Sequence, residues 1–386
     1  MSNSEEKLRQ RAIELYENNV PIQEILTTLK KSKSWFYKWL KRYRQRGHDW
    51  FKEDSRAPKT KSRKTSLEME NLVLTTRKQL ENQAFHQYGP QAIFYELSAQ
   101  GINPPPVWAI ARILRRNGMV KKQFKKTYQS KGRAYPYAGF SLCHQMDYIG
   151  PRYLEGGQSY FCHTVIFEDA HLAQVIIQDN FLAQSTCGNL INFWKVAGIP
   201  DFLQMDNSIS FWGSLRMPNA LGKVIRLCLS LGVTPVFIPV KEPWRNGIVE
   251  HFNKTFQSAV LTKKYKNIEE LKKSASTFCD IHNQTHHYSS QNGMTPMEAM
   301  KKYGHPWHIL PEDYQMPQGE IEIEEGQIYI IRFIRSDLKF NLFGLSFPVP
   351  EELMYHYVMG VILTAEHKLK IFKEQNFITE FPFKIL

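Results

Sequence analysis

The chain has 386 residues, of which 42% are hydrophobic, and a formal net charge of +13 at pH 7. This length predicts two to four domains. The five cysteines show neither CxxC spacing nor a zinc-finger pairing with histidine, so we expect reduced, mostly buried thiols. The polar N-terminus is not a signal peptide and no apolar run reaches membrane-spanning length, which predicts a cytoplasmic protein with no membrane contact.

The positive charge is concentrated in the first third of the chain. Residues 1–140 contain 28 Lys and Arg against 12 Asp and Glu, whereas residues 141–386 contain 22 against 25. A basic region of this kind binds polyanions. Its charges alternate with globular helical patterns instead of forming one amphipathic anchor, which favours nucleic acid over an anionic membrane. We therefore expect the protein to associate with the nucleoid.

Three helices are predicted in residues 1–50, at 8–18, 22–29 and 33–46. Pro21 before the second helix and Ser32 before the third give the outline of a helix-turn-helix domain, in which the third helix enters the major groove of DNA. The alternative is a small helical dimerisation module, which the basic tail of the third helix disfavours. The candidate DNA contacts of this domain are Lys33, Ser34, Tyr37, Lys38, Arg42 and Arg44.

A second helix-turn-helix domain is predicted at residues 66–120, between two basic linkers. The first linker spans residues 51–65, where Lys61 and Arg63 are candidate phosphate contacts, and the second spans 121–140. Prolines punctuate helices at 66–84, 89–100 and 106–117. The third helix is the predicted reading element, with Trp108, Arg112, Arg115 and Arg116 as candidate contacts.

From residue 141 the pattern alternates between strands and helices and predicts an α/β domain. Strands are expected at 141–148, 159–167, 172–178, 202–206 and 233–238. Helices are expected at 183–197, 248–264 and 268–282, and a further helix is expected to end near residues 231–232. Two aspartates, Asp147 and Asp206, are expected at strand ends, because each follows an apolar run that ends in Met.

A third carboxylate, Glu250, lies one turn into the helix that begins after Asn246-Gly247. The apolar residues of this helix recur at three- and four-residue steps and place Glu250 on the opposite side. Lys254 lies on that side too and is a candidate DNA contact. The alternative is that Glu250 is a solvated side chain paired with Lys254.

Three carboxylates so placed suit two magnesium ions, which prefer oxygen ligands and complete their shells with substrate phosphate. We therefore take Asp147, Asp206 and Glu250 as the candidate catalytic and metal-binding residues. Two ions can activate the attacking oxygen and stabilise the leaving oxygen of a displacement at phosphorus.

The sequence resembles the DDE transposases of bacterial insertion sequences, whose catalytic domain is similar to that of retroviral integrases. The resemblance rests on Met146-Asp147-Tyr148, Met205-Asp206-Asn207, Asn246-Gly247 with Val249-Glu250 and Phe252, and a closing segment with His286-His287-Tyr288-Ser289 and Gly293-Met294-Thr295-Pro296-Met297-Glu298. The chain departs from the family at Ser208, where glycine is usual, at His251, where arginine is common, and in an insertion at 211–220.

The resemblance implies an RNase H-like catalytic core at residues 141–304, preceded by paired helical DNA-binding modules. It implies a transposase or integrase that binds transposon ends, cleaves the DNA and joins the 3′ ends to target DNA. Its cofactor would be Mg²⁺, for which Mn²⁺ can substitute. Its partners would be double-stranded DNA and further copies of the chain, as a homodimer or higher oligomer.

Short strands separated by Gly and turn residues recur in residues 320–386 and predict a small C-terminal β-barrel. They are expected at 320–324, 327–334, 338–342, 345–349, 357–364 and 367–373. The acidic start of this region leaves a protein-contact module and a DNA-binding module as equal alternatives. The fold class is therefore multidomain, with all-α modules, an α/β core and a small β-barrel.

Other chemistries fit the sequence less well. The histidines His163, His282, His286 and His287 lack the spacing of a zinc site. No GxxxxGK[ST] loop occurs, so no nucleotide cofactor is expected. Two functions remain as alternatives to the transposase: a metal-dependent nuclease on the same fold, which would cut but not join, and a captured transposase that acts as a non-catalytic DNA-binding or assembly factor.

Overall fold

The structure is a computed structural model that describes residues 2–54, 65–120, 135–137, 139–214, 216–303 and 309–386. It contains two compact units, Met1–Thr65 and Ser66–Leu386. None of the helices in these described ranges is both long and apolar enough to cross a membrane.

The first unit consists of three helices, as predicted. They are α1 (Ser2–Glu17), α2 (Ile22–Leu29) and α3 (Lys33–Gln45). Pro21 precedes α2 and fixes its entry, and the Ser32 hydroxyl caps α3 by accepting a hydrogen bond from the Trp35 amide at 3.2 Å. Ile13, Ile25 and Phe36, one from each helix, are buried together and form the centre of the small core.

A second group of three helices opens the larger unit. They are α4 (Leu67–Asn82), α5 (Pro90–Ala99) and α6 (Val107–Arg116). Pro90 stands at the first position of α5, where its missing N–H costs nothing. Val73, Ile93 and Ile110 are fully buried between the three helices, which agrees with the apolar spacing of the sequence.

The rest of the larger unit alternates strands and helices. Its first part contains β1 (Cys143–Tyr153), β2 (Ser159–Phe167), β3 (Ala173–Gln178), α7 (Ala183–Ala197), β4 (Phe202–Met205), α8 (Ile209–Trp212), α9 (Lys223–Ser230), β5 (Thr234–Phe237), α10 (Gly247–Ala259), α11 (Ile268–Thr285) and α12 (Pro296–Tyr303). Its last part contains β6 (Gln327–Phe333), β7 (Lys339–Leu342), β8 (Leu345–Pro348), β9 (Tyr357–Leu363), β10 (Lys368–Lys373) and β11 (Asn376–Pro382).

One mixed sheet of nine strands organises this unit, in the order β11-β10-β9-β6-β5-β4-β1-β2-β3. The four central strands β1, β4, β5 and β6 are parallel, and the outer pairs are antiparallel. Because the central strands are parallel, their carboxyl ends meet at one edge of the sheet. Ligand and catalytic side chains in open α/β sheets collect at such an edge.

The prediction of a C-terminal β-barrel at residues 320–386 was wrong. Strands β6, β9, β10 and β11 extend the core sheet, and no closed barrel occurs among the described residues. The connection is made by β6, which pairs in parallel with β5 through Val236 opposite Tyr329 and Phe237 opposite Ile330. Strand spacing along the sequence predicts strands but not the partner of the first one. The predicted strand at 320–324 is absent, and β11 was not predicted.

The basic linker at 121–140 was expected to extend along DNA rather than fold, and its last described residues differ from that expectation. The hydroxyl of Tyr137 donates a hydrogen bond to the carbonyl of Phe372 at 3.2 Å and accepts one from the amide of Glu374 at 2.9 Å. Tyr137 is buried with Val236, Ile331 and other residues of the sheet. This end of the linker is therefore folded against the sheet.

Two apolar layers cover the two faces of the sheet. One joins residues of α7, α9 and β4 to C-terminal residues such as Ile328, Ile330 and Ile362 in a single buried cluster. The other packs Val249, Phe252 and Phe256, the apolar side of α10, against β2, β3 and α11. The C-terminal strands thus complete the core of the α/β region.

We predict that removing residues 320–386 unfolds the core instead of releasing an independent module. The truncation would leave the edge of β5 unpaired and would expose the apolar cluster that Ile328, Ile330 and Ile362 close, and loss of such burial is strongly destabilising. Thermal unfolding followed by near-ultraviolet circular dichroism should show no cooperative transition of the core.

The matched control is deletion of residues 1–65, a segment of similar length that forms a separate compact unit. This variant should keep the core transition of the full chain. A chain ending at Gly319 that unfolds cooperatively within a few degrees of the full-length protein would contradict the structural role given to the C-terminal strands.

Candidate active site

The two aspartates stand side by side because β1 and β4 pair in register. Cys143 lies opposite Phe202 and Gln145 opposite Gln204. Two residues further along each strand come Asp147 and Asp206, on the same face as the two glutamines because side chains alternate along a strand. Asp206 directly follows β4, as predicted. Asp147 does not end its strand, since β1 continues to Tyr153 through an irregular register between Ile149 and Arg152.

The helix that carries Glu250 is attached to β1 by hydrogen bonds from buried amides. The side-chain oxygen of Gln145 accepts from the backbone amides of Ile248 at 3.2 Å and Val249 at 3.1 Å. These are among the first amides of α10, which have no partner within the helix. The side chain of Asn246 donates to the carbonyl of Met146 at 2.9 Å.

The same helix start is attached to β4. The side-chain amide of Gln204 donates to the carbonyl of Arg245 and to the side-chain oxygen of Asn246, both at 3.2 Å. Gln145, Gln204 and Asn246 are 3%, 6% and 2% exposed. Buried hydrogen bonds of this kind are costly to break, so Glu250 is fixed relative to the strands that carry Asp147 and Asp206.

Each aspartate has one further hydrogen-bonded neighbour. Asn253, one turn after Glu250 on α10, donates its side-chain amide to Asp147 Oδ2 at 2.8 Å. The backbone amide of Ser208 donates to Asp206 Oδ1 at 2.9 Å, which closes a turn directly after β4. Both contacts stabilise the ionised form of the carboxylate.

The site disfavours negative charge in the absence of a cation. Burial raises the pKa of Asp147 to about 7, with further contributions from the charges of Glu250 and Asp206, against the opposing hydrogen bonds of Tyr148 and Asn253. Burial also raises the pKa of Asp206. The pKa of Glu250 is raised by burial and then by the charge of Asp206.

No lysine or arginine in the described part of the chain forms an ion pair with any of the three carboxylates. The i,i+4 pair of Glu250 with Lys254 is thus not formed. Over the same residues no group of three or more His, Cys, Asp and Glu side chains is close enough to hold a metal ion. The oxygen chemistry and uncompensated charge of the three carboxylates fit a divalent cation. In this structure, however, the three side chains do not converge on one point.

In the first unit the structure leaves most of the candidate DNA contacts on the surface. Lys33, Ser34, Tyr37 and Lys38 are exposed on α3. Arg42 is instead half-buried: its guanidinium donates to Asp54 Oδ2 at 2.8 Å and lies 4.7 Å from the centre of the Trp39 ring. The guanidinium of Arg44, which is exposed, donates to the hydroxyl of Tyr16 at 3.1 Å.

In the larger unit the candidates on α6 are also exposed. Trp108 is 63% exposed, and Arg112 lies 5.1 Å from the centre of its ring. Arg115 is exposed, whereas Arg116 forms an ion pair with Glu70. Lys254 is exposed on α10. The candidates Lys61 and Arg63 lie outside the described residues.

Sequence reasoning missed the amides that hold the site together. One signal was present, because the tripeptide Gln-Met-Asp occurs twice, at Gln145 to Asp147 and at Gln204 to Asp206. The repeat places a glutamine two residues before each aspartate, on the same face of its strand. Sequence reasoning also missed the roles of Asn207, which directly follows Asp206, and of Arg332, which contacts Asn207. No local pattern in the sequence marks Arg332.

Comparisons with known proteins give two matches to sequence families. Residues 3–49 match a homeodomain-like domain and residues 231–296 match an integrase core domain, which includes Glu250. The comparison with curated proteins gives no match. The two family matches confirm the resemblance inferred from the sequence: the chain contains an N-terminal homeodomain-like, helix-turn-helix domain and an integrase-like core.

Several solved structures are similar in part. The catalytic core domain of HTLV-2 integrase in complex with magnesium, in its dimeric form, is 16% identical, covers 41% of this chain and 94% of its own, and has a TM-score of 0.31. The catalytic core domain of BIV integrase is 15% identical, and the match covers 42% of this chain and 96% of the integrase domain, with a TM-score of 0.33.

A chain of the simian T-cell lymphotropic virus intasome in complex with PP2A regulatory subunit B56 gamma is 14% identical. The match covers 77% of this chain and 97% of the intasome chain, with a TM-score of 0.37. These TM-scores are low, so the assignment rests on the two family matches.

The raised pKa of Asp147 predicts a pH-dependent stability in the absence of metal. Its pKa is about 7 in the folded chain, against an ordinary value of 3.8 for an aspartate. A carboxyl group whose pKa is raised by folding contributes stability that is complete below its pKa in the unfolded chain. That stability is lost as the pH rises through its pKa in the folded chain. Relative to Asp147→Asn, the wild type should therefore lose about 1.4 kcal/mol of unfolding free energy between pH 6 and pH 8, since one pKa unit corresponds to about 1.4 kcal/mol.

The measurement is urea unfolding of both proteins in EDTA at a series of pH values. Buried histidines such as His282 and His286 have lowered pKa values and act in the opposite direction, but they are common to both proteins and cancel in the difference. Parallel stability profiles between pH 6 and pH 8 would show that Asp147 is an ordinary, solvated carboxylate.

Proposed function

We propose that the protein is a DNA transposase that binds the ends of its element, cleaves the DNA and joins the free 3′ ends to target DNA, with Mg²⁺ as cofactor. The observation that carries the proposal is the placement of Asp147 and Asp206 on paired parallel strands, with Glu250 fixed to both strands through Gln145, Gln204 and Asn246. It is supported by the integrase core match over residues 231–296.

The three carboxylates would hold the metal ions. Asp147 would hold them from β1, Asp206 from the end of β4 and Glu250 from α10. When bound, the ions supply activation of the attacking oxygen and charge stabilisation of the leaving oxygen at phosphorus. Mn²⁺ would substitute, because it prefers the same oxygen ligands.

The protein contributes orientation and a low-dielectric environment. Asn253 holds one oxygen of Asp147 at 2.8 Å and thereby fixes the direction in which this carboxylate faces. Burial raises the pKa of all three carboxyl groups, so their ionised forms are disfavoured as long as no cation balances them. A divalent cation would supply the balancing charge and restore the ionised forms at neutral pH.

DNA would be bound by the two helical modules. The exposed side chains Lys33, Tyr37 and Lys38 on α3 suit a helix that enters a major groove. On α6, Trp108 and Arg112 form an exposed pair of an aromatic ring and a guanidinium. Lys254, exposed on α10 four residues after Glu250, would bind a phosphate near the reacting bond. Because transposition holds two ends together, the active form would be a dimer or a larger assembly on DNA.

Amide variants of the carboxylates test the proposal. Asp147→Asn, Asp206→Asn and Glu250→Gln keep the shape of each side chain but remove a negative charge from a site for hard cations. Each should abolish end cleavage and strand joining while leaving the binding of end DNA nearly unchanged. The measurement uses labelled end DNA, a target plasmid and Mg²⁺, with cleaved and joined products separated on gels.

The controls are Asp169→Asn and Asp179→Asn, which should stay active. Asp179 is exposed and accepts a hydrogen bond only from neighbouring Asn180 among the contacts described. Its replacement should therefore disturb the fold least, which makes it the cleaner of the two controls. Cleaved but never joined products from the wild type would support the nuclease instead. Joined products from any triad variant, or DNA binding without any cleavage by the wild type, would refute the proposed catalytic role.

A further inference from the structure

A buried arginine, Arg332, lies behind the loop that carries Asp206. It is 6% exposed and comes from β6, a strand of the C-terminal region. Burial lowers its pKa to about 9, and no carboxylate in the described ranges forms an ion pair with it. A buried charge without an ionic partner is costly unless its donors are satisfied by hydrogen bonds, so those bonds indicate what the residue does.

The guanidinium donates to three separate segments of the chain. Its Nη2 donates to Asn207 Oδ1 at 2.8 Å. Its Nη1 donates to the carbonyls of Ile331 at 2.8 Å and Ile238 at 3.2 Å. Its Nε donates to the carbonyl of Asn341 in β7 at 2.8 Å. One side chain thus connects Asn207, which follows Asp206, to Ile238, which follows β5, and to strand β7.

This network fixes Asp206 from both sides. The side-chain amide of Asn207 donates to the carbonyl of Ile238 at 2.7 Å, and the backbone amide of Ile238 donates to the carbonyl of Met205 at 3.1 Å. Met205 and Asn207 are the two neighbours of Asp206 in the chain. Both are therefore bonded to Ile238, and Arg332 binds Ile238 and Asn207 at once.

We propose that Arg332 is a positioning residue for Asp206, which it fixes through Asn207 and Ile238. The inference rests on the proposed function, because it takes Asp206 to be a metal ligand. A planar guanidinium offers donors in fixed directions and can satisfy these segments together, whereas the ammonium of lysine is a single point of charge on a flexible stem. The C-terminal strands thereby contribute to the active site without touching the substrate.

The experiment measures metal binding and catalysis in the full-length chain with Asn207→Ala and Arg332→Lys. Binding of Mn²⁺ alone, without DNA, is followed by electron paramagnetic resonance of the free ion. Both variants should bind Mn²⁺ about tenfold more weakly than the wild type, the lower end of the effect of losing partners that orient metal ligands. The Mg²⁺ concentration for half-maximal end cleavage should rise by a similar factor, with a smaller change in the rate at saturating Mg²⁺.

Arg226→Lys is the matched control. Arg226 also joins the C-terminal region to the core, because its guanidinium donates to the carbonyls of Leu221 at 2.8 Å and Ile321 at 2.9 Å and pairs with Glu320. It lies on α9 and has no described contact with the three carboxylates. The Mn²⁺ affinity of Arg226→Lys should equal that of the wild type, even if its melting temperature falls.

The outcomes separate this inference from the proposed function. If Asp206→Asn loses Mn²⁺ binding while Asn207→Ala and Arg332→Lys bind as tightly as the wild type, the positioning role is refuted and the catalytic proposal stands. If Arg332→Lys does not fold, Asn207→Ala alone decides, because its side chain is only half-buried. If the wild type neither binds Mn²⁺ nor cleaves end DNA, both the proposed function and this inference are overturned.

Discussion

The candidate active site depends on one set of hydrogen bonds, those that attach the start of α10 to the paired strands β1 and β4. Gln145 accepts from two amides at the beginning of the helix, and Asn246 and Gln204 connect the same turn to both strands. The register of the strands brings Asp147 and Asp206 together, but neither strand can place Glu250. The buried amides do so, and their burial makes the arrangement rigid.

The C-terminal strands have a second effect on the same edge of the sheet. Strand β6 adds to β5 in parallel, so its carboxyl end meets those of β4 and β5. Arg332 therefore reaches the Asp206 loop from behind, whereas the substrate would approach from the front. A region that the sequence assigns to assembly or DNA contact is part of the scaffold that holds the Asp206 loop. This arrangement also explains why one apolar cluster spans both regions.

Much of this could be predicted from the sequence, because local patterns determine local structure. The helix at 183–197 and the strand at 159–167 have the predicted bounds, Asp206 directly follows a strand and Glu250 lies on a helix, as the apolar patterns predict. The catalytic role of the three carboxylates stays a prediction. The pairing of β6 with β5 could not be predicted, since strand periodicity contains no information about the neighbouring strand. The roles of Gln145 and Arg332 were missed for the same reason: their partners are about a hundred residues away.

The most direct test of the account is a crystal structure of the full-length protein soaked in Mn²⁺, with anomalous difference maps to locate the ion. A peak is expected at the carboxyl ends of β1 and β4, with oxygen ligands from Asp147 and Asp206, and it should be lost in Asp206→Asn. An ion bound only elsewhere, for example among the histidines at the end of α11, or no ion between the two aspartates at saturating Mn²⁺, would contradict it.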